Sequence, residues 1–137
     1  MDQKSAIAAW HELLGSENVL TQESTLRTNE IATFLTKTKI CAILRPKSSQ
    51  EVQECLKIAN QYQIPLYPVS SGKNWGYGSR VPTSDGCALM ELGNMNRIVD
   101  FSEELGYVTL EPGVTQRQLY QFLQDLLILL FREEYDA

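Results

Sequence analysis

Residues 41–69 read CAILRPKSSQEVQECLKIANQYQIPLYPV, and this stretch decides the fold. Cys41–Leu44 is a short apolar run closed by Arg45-Pro46, which reads as a strand. Ser48-Ser49-Gln50-Glu51 matches a capping box, with Ser48 as N-cap and Glu51 three positions on. Val52, Cys55, Leu56 and Ala59 recur at spacings of three and four, which puts them on one helical face. Pro65 bars the helix from continuing, and Leu66–Val69 supplies a second strand. Strand, capped helix and strand within about 30 residues is the length that a parallel crossover requires.

Beyond this unit the pattern changes. Ser70–Ser79 is a glycine-rich loop. Cys87–Leu92 reads as a strand, and Arg97–Phe101 and Tyr107–Leu110 as two more, parted by the polar turn Ser102–Gly106. Glu111-Pro112-Gly113 breaks the run. Thr115-Gln116-Arg117-Gln118 is a second capping box, opening a helix whose apolar face is Leu119, Phe122 and Leu123. On the N-terminal side, Ile7, Trp10, His11 and Leu14 mark an amphipathic helix over Ala6–Leu14, stopped at Gly15. Ser16–Arg27 is polar and loop-like, with Val19 and Leu20 as an apolar anchor. Ile31–Leu35 suits a short helix or a strand equally. The expected architecture is α+β: one strand–helix–strand unit feeding an antiparallel set, with flanking helices. Three segments are expected: a helical lead-in over 1–40, the main domain over 41–124, and a tail over 125–137.

Composition narrows the partners. The 137 residues suffice for a single domain, and 12 basic against 17 acidic side chains leave a net charge of −5 with no basic block. A nucleic-acid backbone would need a basic stripe, so nucleic acid is not an expected partner. Cys41, Cys55 and Cys87 are odd in number and lack CxxC spacing, which suits buried thiols in a reducing, cytoplasmic setting better than a disulfide framework or a zinc site. His11 is the only histidine, so a histidine-rich metal centre is excluded. Met1–Gln3 carries no basic leader preceding an apolar core. Leu126–Phe131, the longest apolar run, is far short of the roughly 20 residues of a membrane span. As a helix that run would be apolar all round and would need a covering partner; it reads as stranded apolar surface and an aggregation liability, with an oligomer contact as the alternative.

The chemistry concentrates in Pro68-Val69-Ser70-Ser71-Gly72-Lys73-Asn74-Trp75-Gly76-Tyr77-Gly78-Ser79. A pyrophosphate needs several backbone N–H groups aimed at one point with no side chains in the way, and glycines directly after a strand permit that approach. Ser70, Ser71 and Asn74 add neutral hydrogen-bonding partners. Lys73 adds a charge, although a solvated lysine is the blander reading. The glycine spacing is GxxxGxG and Arg80-Val81-Pro82-Thr83 follows. That departs from both the phosphate loop GxxxxGK[ST] and the dinucleotide fingerprint GxGxxG, each of which runs straight into a helix. Taken alone, such a loop is more often only a loop.

The order of features is more specific. Arg45-Pro46 with its capped helix, then Pro65–Gly78 containing Ser-x-Gly-Lys-Asn-x-Gly-Tyr-Gly, resembles the first half of the FAD domain in the vanillyl-alcohol oxidase/p-cresol methylhydroxylase (PCMH-type) family, nearest its phenol-oxidising branch. Leu89-Met90-Glu91-Leu92-Gly93-Asn94-Met95-Asn96-Arg97-Ile98 resembles the family's next strand and turn, and Glu111-Pro112-Gly113-Val114-Thr115 the motif after that. The likeness covers roughly Trp10–Gln124. The resemblance implies FAD as cofactor, with Ser70, Ser71, Gly72, Lys73, Asn74, Gly76, Tyr77 and Gly78 around its pyrophosphate. It places Pro46 and the Pro112, Gly113 and Val114 turn near its nucleotide end. Relatives oxidise alcohols or alkylphenols by hydride transfer to the flavin. The loop histidine that binds flavin covalently in some relatives is absent, since Lys73 and Asn74 stand in that region. The family's substrate-cap domain has no counterpart in this sequence, so the resemblance implies a shortened chain without catalytic residues of its own. The rival expectation is an inert fragment, or a subunit whose site a partner chain completes.

Overall fold

The computed structural model describes residues 2–32, 36–72 and 80–135, with side chains as far as residue 126 at the C-terminal end. Its elements in order are α1 (Gln3–Leu14), a 3-10 turn (Ser16–Asn18), β1 (Val19–Leu20), α2 (Glu23–Asn29), β2 (Ile40–Leu44) and α3 (Ser49–Tyr62). They continue with β3 (Leu66–Val69), β4 (Cys87–Glu91), β5 (Ile98–Ser102), β6 (Tyr107–Leu110) and α4 (Gln116–Tyr135). The class is α+β, as the sequence implies.

The crossover unit forms as expected: β2 and β3 run parallel, joined by α3. They are not adjacent. The sheet order is β1-β2-β4-β3, with β4 lying between the two strands and parallel to both. Among the described residues, antiparallel pairing is confined to β1 on β2 and to the separate hairpin β5–β6. Strand β4 takes the central slot because Cys87–Met90 is buried throughout, the continuous apolar pattern of a strand covered on both faces. Pro68 sits in β3, an edge strand, where its missing N–H costs no ladder bond on the outer side.

Each face of this sheet has its own core. Ala42 and Leu44 of β2 and Ala88 and Met90 of β4 pack against Ala6, Trp10 and Leu14 of α1 and Cys55 and Ala59 of α3. Ile43, Leu89 and Val69 point the other way, where Leu20 and Leu26 pack against them. Trp10 is fully buried, and its indole N–H donates to the Cys55 carbonyl at 3.3 Å, tying α1 to α3.

Local chemistry sets the ends. Ser48 Oγ accepts from the Glu51 N–H at 3.1 Å. The reciprocal bond goes one residue further back than the capping-box pattern predicts, since Glu51 Oε2 accepts from the Lys47 N–H at 2.6 Å. Thr115 and Gln118 make both halves of theirs, at 3.3 and 2.9 Å. Helix α3 stops before Pro65 is reached, because Gln63 turns into the left-handed region at φ 56°. Replacing Ser48 with alanine should cost about 1 kcal/mol of stability, read as a lower urea midpoint at unchanged slope.

Ser16–Arg27 departs from expectation. It holds the 3-10 turn, β1 and most of α2 rather than loop. Helix α2 buries no residue fully and leans on the sheet through Leu26, so a polar sequence suffices for it. Ile31 lies outside regular structure and is exposed, while Thr33, Phe34 and Leu35 fall outside the described residues.

Candidate functional site

Parallel strands deliver their C-terminal ends to the same edge. Open sheets of this kind bind ligands there. In this chain β2 ends into Arg45-Pro46, β3 into Ser70-Ser71-Gly72, and β4 into Leu92-Gly93-Asn94. The Leu92 N–H donates to the Val69 carbonyl at 2.9 Å, extending the β3–β4 seam into this edge. Gly93 lies close to the β3 end, where a Cβ on it would make an ordinary 4.0 Å contact with the Ser70 carbonyl oxygen. Gly72 has φ +69°, a conformation that glycine adopts freely and other residues rarely do. Among the described residues, the N–H groups of Ser71 and Gly72 meet no acceptor.

Charge collects on the same edge. Glu91 ends β4 and binds two arginines: Oε2 accepts from Arg45 Nε at 2.7 Å, and Oε1 accepts from Arg80 Nη2. The Glu91 side chain is 15% exposed, against 40% for Arg45 and 35% for Arg80. The arginines therefore remain accessible while the carboxylate beneath them is largely covered. The Arg80 guanidinium lies over Gly72, its Cζ 3.4 Å from the place a Cβ would take. Arg45, Glu91, Gly93 and Asn94 line a cleft of about 220 Å³.

A third segment docks here through Gly113. Its N–H donates to the Met95 carbonyl at 2.7 Å, and a Cβ on it would lie 2.5 Å from the Leu92 carbonyl oxygen and 2.7 Å from that of Met95. Next to it, Glu111 receives the Arg97 backbone N–H at 2.8 Å and its guanidinium at 2.6 and 3.0 Å. These side-chain and backbone hydrogen bonds from Arg97 hold the Glu111 carboxyl below the usual carboxylate range. The hairpin carries this segment, with Phe101 packed edge-on against Phe122 of α4 at 5.7 Å.

The residues expected to hold a cofactor fall into three groups. Ser70, Ser71 and Gly72 lie on the edge, at the end of β3, and Pro46, whose side chain is fully buried, follows β2 on the same edge. Pro112, Gly113 and Val114 reach it by way of the Leu92–Met95 turn, with Gly113 buried and Pro112 exposed. Lys73, Asn74, Gly76, Tyr77 and Gly78 lie outside the described residues. Sequence reasoning singled out neither Arg80 nor Glu91 as part of a site. Two opposite charges eleven residues apart carry no signal until β3 and β4 are known to be neighbours.

The thiols take no part. Burial pushes Cys41 up to about 11 and Cys55 up to about 12, so both stay protonated and unreactive at neutral pH. Among the described residues no cluster of three or more His, Cys, Asp or Glu is placed to hold a metal ion. Nor is any described helix long and apolar enough to cross a membrane.

A family model described as an FAD binding domain matches residues 41–131. The 1'-carboxy-chondrochloren decarboxylase of Chondromyces crocatus is 57% identical over 120 residues, which make up 88% of this chain and 22% of that protein. The flavoprotein subunit of 4-cresol dehydrogenase [hydroxylating] from Pseudomonas putida is 33% identical over 123 residues, covering 88% of this chain and 24% of its own. The solved structure of 4-ethylphenol oxidase from Gulosibacter chungangensis, in complex with isoeugenol, superposes with a TM-score of 0.82 at 36% identity. That match covers 90% of this chain and 25% of the oxidase. The chain thus spans about a quarter of the length of the relatives it matches. The three carboxyl-terminal strand ends, the glycine turn and the docked Gly113 segment all lie within the matched residues. The chain belongs to the FAD binding domain family, in its p-cresol methylhydroxylase type, and its cofactor is FAD.

Proposed function

We propose that this chain forms the nucleotide-binding half of an FAD site in a flavin-dependent oxidoreductase. Its substrate would be an alcohol or an alkylphenol, oxidised by hydride transfer to the flavin. The observation that carries the reading is the pair of N–H groups at Ser71 and Gly72, which meet no acceptor among the described residues, set on the carboxyl edge of parallel strands near accessible arginines. Ser70, Ser71 and Gly72 would hold the pyrophosphate through backbone amides. Pro46 and the Pro112–Val114 segment would bound its nucleotide end, and Lys73, Asn74, Gly76, Tyr77 and Gly78 would complete the loop. FAD, once bound, supplies the two-electron acceptor; these residues bind it and orient it.

The phenolic substrate class is supported by relatives named for cresol and for ethylphenol. The decarboxylase relative adds a carboxylated substrate as a variant of this reading. The free thiols support a cytoplasmic setting. A second reading, a module that works only against a partner chain, is favoured by the exposure of Val99, Leu105 and Tyr120 on the hairpin and α4.

The test is a titration with FAD, ADP and riboflavin separately, following Trp10 and Trp75 fluorescence. Saturable binding of FAD, competed by ADP and not by riboflavin, is expected. No saturable response to any of the three would overturn the FAD reading for this chain and favour the partner-dependent module. Gly72→Val is expected to weaken FAD at least about tenfold, since valine at φ +69° is strained and its side chain meets the Arg80 guanidinium. Unchanged affinity would remove this turn from the site.

A further inference from the structure

We propose that Arg80 is the cationic ligand of the cofactor's pyrophosphate, positioned for it by Glu91. The proposal rests on the FAD-binding reading above and names the residue that supplies the charge that reading needs.

A pyrophosphate diester brings two negative charges. Backbone amides orient toward it but carry no net charge, and the protein as a whole is acidic at −5. A local cation is therefore needed to offset desolvation of the phosphates. The edge provides one. Two guanidinium groups share the single carboxylate of Glu91, so the trio carries one uncompensated positive charge.

Geometry selects Arg80 over Arg45. The Cζ, Nη1 and Nη2 atoms of Arg80 lie 3.4, 3.5 and 3.6 Å from the Cβ position of Gly72, next to amides of Ser71 and Gly72 that meet no acceptor among the described residues. A guanidinium has five N–H donors in a rigid fork, matched to phosphate oxygens. Arg80 places Nη2 on Glu91, while its Nε lies buried with no partner among the described residues. The Nη1 donors stay on the Gly72 side. Arg45 has committed Nε to the opposite oxygen of the same carboxylate, and its backbone carbonyl takes a 3.5 Å bond from Asn94 Nδ2. Its part is to fix Glu91, which in turn fixes Arg80. An aspartate at position 91 would be one methylene too short to bridge both.

The plainer alternative is a clamp: Arg80 and Gly72 bracket the loop, and the ion pairs merely hold its two ends together. A clamp and a ligand differ in their response to charge and salt. The experiment is FAD titration of the wild type, Arg80→Met and Arg80→Lys across a range of NaCl concentrations, with thermal unfolding of each and with inorganic pyrophosphate as competitor.

Arg80→Met is expected to weaken FAD and ADP alike by about tenfold or more. Its affinity should depend less on salt, and its midpoint of unfolding without ligand should stay close to wild type. Arg80→Lys should keep the salt dependence and recover part of the affinity. Pyrophosphate should compete for the wild type and poorly for Arg80→Met. Wild-type affinity and salt dependence in Arg80→Met would overturn the proposal while leaving FAD binding intact. So would an affinity loss that tracks a lowered midpoint with salt dependence unchanged, which is the signature of a clamp. If Arg80→Met does not fold, Arg80→Lys decides, since a lysine that fails to keep the salt dependence sinks the ligand role. A wild type that binds neither FAD nor ADP fails the underlying reading, and the proposal with it.

Discussion

Gly113→Val is expected to destabilise the protein by about 3 kcal/mol and to abolish FAD binding with it. The reason is that three backbone carbonyls converge on the place a side chain would occupy, those of Leu92, Met95 and Gly93 at 2.5, 2.7 and 2.9 Å. Backbone oxygens cannot swing aside as the end of a long side chain can. The Gly113 N–H is also bonded to one of them at 2.7 Å, so backing away breaks that bond. Conformational strain plays no part, because Gly113 is not among the glycines at positive φ. Alanine should therefore do much of the damage that valine does, which separates this site from Gly72, where backbone conformation matters as well. Urea unfolding of wild type, Gly113→Ala and Gly113→Val reads the effect. A valine variant with the wild-type midpoint would mean that the Glu111–Val114 segment is not seated as described.

Trp10→Ala should cost about 3–5 kcal/mol, a large share of a small domain's total. Trp10 is fully buried in the core that α1 and α3 share with the sheet, and truncation to alanine leaves an indole-sized space there. Trp10→Phe divides the effect. It keeps most of the packing and removes the bond to the Cys55 carbonyl, for a loss of about 1 kcal/mol. Denaturant midpoints for the two variants test this. If phenylalanine proved as damaging as alanine, the hydrogen bond rather than the buried volume would be holding α1 to α3.

Much of the fold is legible in the chain because local signals agree with the global pattern. Ser48 and Glu51, Thr115 and Gln118, and the apolar runs of β2, β3 and β4 each announce their element within a few residues. What local pattern cannot supply is strand order. Nothing within Cys87–Glu91 says that it lies between β2 and β3; that follows from burial on both faces, a property of the assembled sheet. Helix α2 escaped for the opposite reason, since a helix that buries almost nothing has no apolar stripe to betray it. The candidate site divides in the same way. The glycine turn is visible because backbone conformation is written in residue type. Arg80, Glu91 and Arg45 come together only through register, across 46 residues from Arg45 to Glu91, and no spacing rule reaches that far.

Gly113 also bears on how the molecule comes apart. Among the described residues, the hairpin β5–β6 joins the four-stranded sheet through the Met95–Gly113 hydrogen bond, while the Arg97–Glu111 ion pair closes the hairpin's own base. Regions joined through so slender a junction open as separate cooperative units, each with its own local free energy. On the proposed reading the cofactor site would straddle that junction, with strand ends on one side and Pro112–Val114 on the other. A ligand held from both sides binds only the closed arrangement, so mass action raises the free energy of parting by RT ln(1 + [L]/Kd). In such a design the nucleotide is a structural rivet as well as a redox carrier, and the supply of cofactor sets how firmly the two units stay together.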